Sequence, residues 1–221
     1  MRLSKAARQV GDERLTYLST QKFLNLEGCA KDVNRGDVPG CFVEAGVALG
    51  GSAIVLSKLM GDGRRFHGYD LFGQIPPPGE HDDAHAHERY AEIESGRSAG
   101  IGGDDYYGYL DDLYDRVVAS FERYGLRVDG ERIALHKGLF EDTLTLEEPV
   151  ALAHIDADWY DSVMLCLERL HPLLSAGGYF VLDDYNDYGG CKRAADEFLA
   201  RHPELETVAA EPNLVLRRAA A

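Results

Sequence analysis

Carboxylates and glycines recur at the ends of short apolar runs in this chain. Together those residue types can hold a cation beside a nucleotide-like ligand. The run GYFVL ends in Asp183-Asp184-Tyr185, and ALAHI ends in Asp156-Ala157-Asp158. Asp156, Asp183 and Asp184 would repel one another unless a cation neutralised them, and an all-oxygen donor set suits Mg2+. A solvated acidic rim is the plain structural alternative, and Asp158 and Asp161 read as N-caps of the next helix. The run CFVEA leads into Glu44-Ala45-Gly46-Val-Ala-Leu-Gly50-Gly51-Ser52. Its glycines let a ligand approach the backbone, and the N–H groups of a following helix attract anions. The spacing is not GxGxxG, which disfavours a dinucleotide, and Glu44 would welcome an amino group. A nucleotide bearing an amino acid, such as S-adenosylmethionine, satisfies both halves. Asp70 ends the next run at the place of a ribose-hydroxyl acceptor. Gly138-Leu-Phe140-Glu-Asp142 follows another run.

Other reactive residues fit structural roles better. His81, His85 and His87 have spacings that zinc could use, but no thiol or fixed scaffold accompanies them. His154 lies inside an apolar run, as a hydrogen-bonded core histidine would. Trp159, Tyr160, Tyr185 and Tyr188 are candidate walls for a substrate. Cys29, Cys41, Cys166 and Cys191 form no CxxC pair and read as packed, reduced thiols.

The elements that must position these groups alternate along the chain. Strands are predicted at Cys41–Ala45, Arg65–Asp70, Arg132–Lys137, Ala151–Ile155 and Gly178–Leu182. Helices are predicted at Gly51–Met60, Tyr106–Tyr124, Ser162–Leu170 and Gly190–Arg201, with apolar residues at 110, 113, 114, 117, 118 and 121 marking one helical face. Thr207–Ala210 and Asn213–Arg217 suggest a terminal hairpin. This alternation implies a parallel sheet with helices on both faces, whose ligands bind at the strands' carboxyl ends. Residues 1–35 look like a helical extension of a single domain over 1–221. Residues 71–105, with a Pro triplet and a Gly/Ser-rich stretch, read as a mobile lid.

The chain has 221 residues and a net charge of −15. That balance argues against nucleic acid and against an anionic membrane surface. The longest nearly apolar run, Val47 to Leu56, is too short to span a bilayer. The opening residues lack the apolar core of a secretory signal. A cytoplasmic location is expected.

The order and spacing of the blocks carry a further signal. Val38-Pro39-Gly40 followed by FVEAGVALGGSAI, then YDLFGQIPPP, GLFEDTL, HIDADWYDSVMLCLERLHPLLSAGGYFVLDDY and Gly190-Cys191-Lys192-Arg193-Ala194 resemble the macrocin O-methyltransferase family. The resemblance covers roughly residues 15–198. It implies a class I methyltransferase (Rossmann-like) fold, with a seven-stranded, mostly parallel sheet and a C-terminal β-hairpin. It also implies S-adenosylmethionine as donor, Mg2+ as metal, and a small-molecule acceptor such as a sugar or glycosylated natural product. Asp156, Asp183 and Asp184 match the family's metal ligands, and Asp156 its proposed general base. Glu44, Ala45, Gly46, Gly50 and Ser52 fall in the donor-binding turn, Asp70 matches the ribose ligand, Phe140-Glu141 the block bordering the adenine, and Gly138 and Asp156 are also expected to face the donor. Ala48-Leu49 replaces the family's usual Trp-Arg pair, and Leu71 its usual Ser. A homo-oligomer is expected. The alternatives are a catechol-type O-methyltransferase, a hydroxylase-like relative and a donor-binding module without catalysis.

Overall fold

The computed structural model describes residues 2–219. Seven strands form one sheet: β1 Cys41–Ala45, β2 Phe66–Asp70, β3 Ile133–Lys137, β4 Val150–Ile155, β5 Leu174–Leu182, β6 Leu205–Ala209 and β7 Leu214–Arg218. Their order is β3-β2-β1-β4-β5-β7-β6. β1 to β5 run parallel, while β7 pairs antiparallel with both β5 and β6. The chain order reverses between β1 and β4, so the carboxyl ends of those strands splay into a crevice. Every residue of β1 and β4 is buried, which explains why they read as continuous apolar runs rather than alternating ones.

Helices cover both faces. α1 Lys5–Asp12, α2 Thr20–Arg35, α3 Gly51–Leu59 and α5 Leu113–Arg123 close one core, around Leu26, Ile54, Leu56 and Phe121. α6 Phe140–Thr143, α7 Tyr160–Leu170 and α8 Gly189–Leu199 close the other, around Ile155, Leu167, Phe180 and Phe198. Ser4 and Ser19 cap the first two helices, accepting from the N–H of Ala7 and Lys22.

Two expectations change. The helix predicted over Tyr106–Tyr124 is confined to α5; Tyr107–Tyr109 form a 3-10 turn, and Leu110 is extended. Gly108 and the Asp111-Asp112 pair interrupt the propagation that the apolar spacing suggested. β5 begins at Leu174, four residues early, through a Ser-Ala-Gly-Gly stretch that reads as a turn. The 71–105 segment, the expected lid, forms a cover that carries a helix of its own, α4 Ala84–Glu94, whose N-cap Asp83 accepts from Ala86 N at 3.0 Å.

Candidate active site

The carboxyl ends of β1 to β5 surround a cavity of about 470 Å³. Its floor begins at the glycine turn. Gly46 has φ 94°, and a Cβ there would collide with the carbonyl oxygen of Asp156. Gly46 N donates to Tyr69 O, and Asp156 N to Ala45 O, which locks three strand ends together. Gly50, also left-handed at φ 88°, starts α3. Asp70 spans the turn: Oδ2 accepts from Val47 N at 2.7 Å and Ala48 N at 2.9 Å, and Oδ1 from Phe72 N. Ala48, Phe72 and Asp158 hold positive φ values of 46°, 49° and 54° after β1, β2 and β4. Left-handed backbone at non-glycine residues is a cost that gathers at functional rims.

Asp156, Asp183 and Asp184 meet across the crevice, with an oxygen of each within 4.8 Å of the others. Burial, then the charges of Asp184, Asp183 and Asp158, raises the Asp156 pKa well above the usual carboxylate range. Burial and Asp183 push Asp184 up to about 6. Asp183 goes the other way. Burial opposes ionisation, but the nearby His154 imidazole and the Lys22 ammonium outweigh it and lower its pKa. Lys22 Nζ, reaching in from α2, lies 2.7 Å from both Asp183 Oδ2 and Asp187 Oδ2. Lys22 and His154 therefore both serve Asp183, while Asp156 and Asp184 stay under-compensated. An all-oxygen set with excess negative charge fits a small, hard divalent cation.

Of the residues expected around a donor, Gly46, Asp70, Gly138, Phe140 and Asp156 line the cavity. Glu44, Ala45, Gly50 and Ser52 do not. Glu44 is fully buried, and its Oε1 lies 2.7 Å from His154 Nδ1; His154 Nε2 lies 3.7 Å from Asp183 Oδ1. Burial works against a charged His154, yet Asp183 and Glu44 on either side raise it to about 9. Glu44 thus reaches Asp183 of the aspartate trio through His154 from beneath instead of facing the cavity. His154 is the buried, hydrogen-bonded histidine its strand position suggested.

Trp159 and Tyr188 line the cavity with rings 5.0 Å apart, and Trp159 Nε1 donates to Pro76 O of the cover. Tyr160 and Tyr185 instead turn outward, donating to Glu197 and Asp196. His81 and His85 pack against Tyr160 and Tyr188, and neither they nor His87 line the cavity.

The cap expectation for Asp158 and Asp161 is corrected. α7 starts at Trp159 without a side-chain cap of its own, and the Tyr160 N–H donates to Asp82 Oδ1 from the cover at 2.8 Å. Asp158 lines the cavity instead. Burial first, then Asp184 and Asp183, holds its pKa well above the ordinary range. Its Asp-x-Asp spacing from Asp156 was the available signal. Lys22, Tyr17, Arg89, Tyr106 and Tyr107 also line the site, brought by helices and turns whose orientation no local pattern encodes.

A model of the family described as macrocin-O-methyltransferase (TylF) matches residues 3–209. The chain is 33% identical over 193 residues to the 8-demethyl-8-(2,3-dimethoxy-alpha-L-rhamnosyl)-tetracenomycin-C 4'-O-methyltransferase of Streptomyces olivaceus, covering 85% of this chain and 68% of that protein. It is 30% identical over 196 residues to the demethyldecarbamoylnovobiocin O-methyltransferase of Streptomyces niveus, covering 84% and 68%. Among solved structures, the O-methyltransferase NovP superposes with a TM-score of 0.77 at 26% identity, over 92% of this chain and 82% of that one. No helix among the described residues is long and apolar enough to cross a membrane.

Proposed function

The chain belongs to the macrocin O-methyltransferase family, and from that premise we propose that it transfers the methyl group of S-adenosylmethionine to a sugar hydroxyl of a small natural product, with Mg2+ in the aspartate cluster. The observation that carries this reading is the joining, in one cavity, of the Gly46–Asp70 turn with Asp156, Asp183 and Asp184. Gly46, Ala48 and Asp70 offer the donor a close backbone approach and a carboxylate with lone pairs to spare. Gly138 and Phe140 border the same end. Mg2+ held by the three aspartates would supply a fixed positive charge that lowers the pKa of an acceptor hydroxyl.

The proton of that hydroxyl is assigned to a carboxylate oxygen of Asp158. Asp158 shares the wall with the metal cluster but stands outside the trio whose oxygens converge, which leaves its carboxylate free to face an acceptor hydroxyl. Arg89, Tyr106, Trp159 and Tyr188 line the side left for the acceptor. Asp156 as both ligand and base is the second reading, favoured by its place deep in the same cluster.

Three variants separate the roles. Asp158→Asn should lower kcat by roughly 10²–10⁴-fold while leaving Mg2+ affinity intact. Asp156→Asn and Asp184→Asn should weaken Mg2+ binding and regain kcat as Mg2+ is raised. A loss in Asp156→Asn that metal cannot rescue, with Asp158→Asn near full activity, would return the base to Asp156. Chelation should abolish turnover and leave donor binding measurable by calorimetry; full turnover in excess chelator would remove the metal from the reading.

A further inference from the structure

A second cluster of ligating side chains lies far from the cavity. His171 opens the 3-10 turn His171–Leu173 between α7 and β5, and His202 and Glu204 lie in the connection between α8 and β6. His171 Nε2 is 2.7 Å from Glu204 Oε1, and His202 Nδ1 is 3.2 Å from the same oxygen. The imidazole centroids are 4.0 Å apart, and the Phe198 ring packs against both. One donor atom from each of the three residues lies within 4.8 Å of the others. The side chains remain 14%, 25% and 37% exposed, so an ion and its waters can reach them.

We propose that His171, His202 and Glu204 form a zinc-class metal site that staples the turn before β5 to the turn before β6. Two imidazoles and one carboxylate are a borderline donor set, suited to Zn2+, Co2+ or Ni2+ rather than Mg2+. Donors at about 2.0–2.2 Å from a common tetrahedral ion lie roughly 3.2–3.6 Å apart, so the 2.7 Å and 3.2 Å contacts to Glu204 must open by up to about an ångström to admit one. Both nitrogens now face the carboxylate. Metal binding moves each ring proton to the opposite nitrogen, His171 Nδ1 and His202 Nε2, with no net change in protonation. Burial and the neighbouring His202 lower the His171 pKa, which keeps that imidazole neutral and ready to ligate. Arg218, whose charge bears on His171, is held on the carbonyl oxygens of His171 and Leu174. The second mixed cluster, Cys41, His67 and Glu148, is less suited because the Arg65 guanidinium already engages Glu148 and the Cys41 thiol is sealed.

The staple sits at the start of β5, and Asp183 and Asp184 follow its far end. A nine-residue strand separates the two by roughly 30 Å. The site should therefore act on stability and leave the cavity alone. The test uses the full-length protein, stripped of metal and then saturated with Mg2+. Calorimetric titration should show one Zn2+ bound with micromolar affinity, and Co2+ should give tetrahedral visible bands. The melting temperature should rise by roughly 5 °C at a hundredfold excess of Zn2+ over Kd. His202→Gln and Glu204→Gln should each weaken Zn2+ binding at least tenfold and remove the thermal shift. If one variant misfolds, the other variant and imidazole-nitrogen NMR shifts in the wild type decide. Zn2+ affinity unchanged in the folded variants, or wild-type imidazoles unmoved by Zn2+, overturns the proposal and leaves a plain hydrogen-bonded triad.

Discussion

At position 46 only a hydrogen atom fits between β1 and the backbone of Asp156. Gly46→Ala should cost more than ~1 kcal/mol, since the left-handed φ and the collision act together; urea unfolding measures it, and an unchanged midpoint would contradict the close approach. Asp70 does two jobs of this kind. Its carboxylate satisfies three turn N–H groups, and removing it leaves those donors to water or to nothing. Asp70→Ala should therefore weaken S-adenosylmethionine binding and also loosen the turn, whereas a ribose contact alone would weaken binding with no change in amide exchange at Val47 and Ala48. Asp156, Asp183 and Asp184 were legible because they follow apolar runs, and Asp70 because it closes a predicted strand. Asp158 was misread as a cap because its backbone turns left-handed, which composition does not reveal. Lys22 was invisible, since its partners Asp183 and Asp187 lie more than 160 residues away in sequence.

Elements were legible where burial on both sides makes the pattern uniform, as in β1 and β4, and illegible where a distant group decides the geometry. The cover illustrates the second case. Asp82 Oδ1 accepts from Tyr160 N at the start of α7, and Asp83 Oδ2 accepts from Gly189 N at the start of α8, 3.0 Å away. Asp83 caps its own helix α4 as well. Two neighbouring carboxylates therefore pin the 71–105 segment to two helix N-termini. Asp83→Ala should destabilise α4 by ~1 kcal/mol and speed hydrogen exchange across residues 84–94, with the core strands unaffected. The same contact sets an acid limit. The hydrogen bonds from Ala86 first, outweighing partial burial, hold the Asp83 pKa below its ordinary value near 4. A depressed carboxylate stabilises the folded state above its unfolded pKa and loses that contribution as pH falls through the folded one. Exchange in α4 should thus accelerate below about pH 4 before the sheet melts; simultaneous loss of both would show that the contact is not separable.

Across the whole molecule, stability should grade from the middle of the sheet to its hairpin edge. Leu152 on central β4 is fully buried, while Val208 on edge strand β6 is 56% exposed. Leu152→Ala should cost ~2–5 kcal/mol and Val208→Ala less than ~0.5 kcal/mol, as chemical denaturation can measure. The candidate site lies along the middle of the sheet, and the residues that line its cavity come from positions as far apart as Tyr17 and Tyr188. The cover joins that site by fitting, not only by bonding. A Cβ at Gly189 would strike the Asp83 carboxylate, and one at Gly190 would strike that of Asp82. Each pair fills the space the other leaves, so a side chain can be gained at one end only if one is trimmed at the other. A cover transplanted from a relative would need its matching glycine seat to travel with it. Variation in the 71–105 cover is therefore constrained to move together with its Gly189-Gly190 seat, as a two-part cassette linked through space across about a hundred residues of sequence.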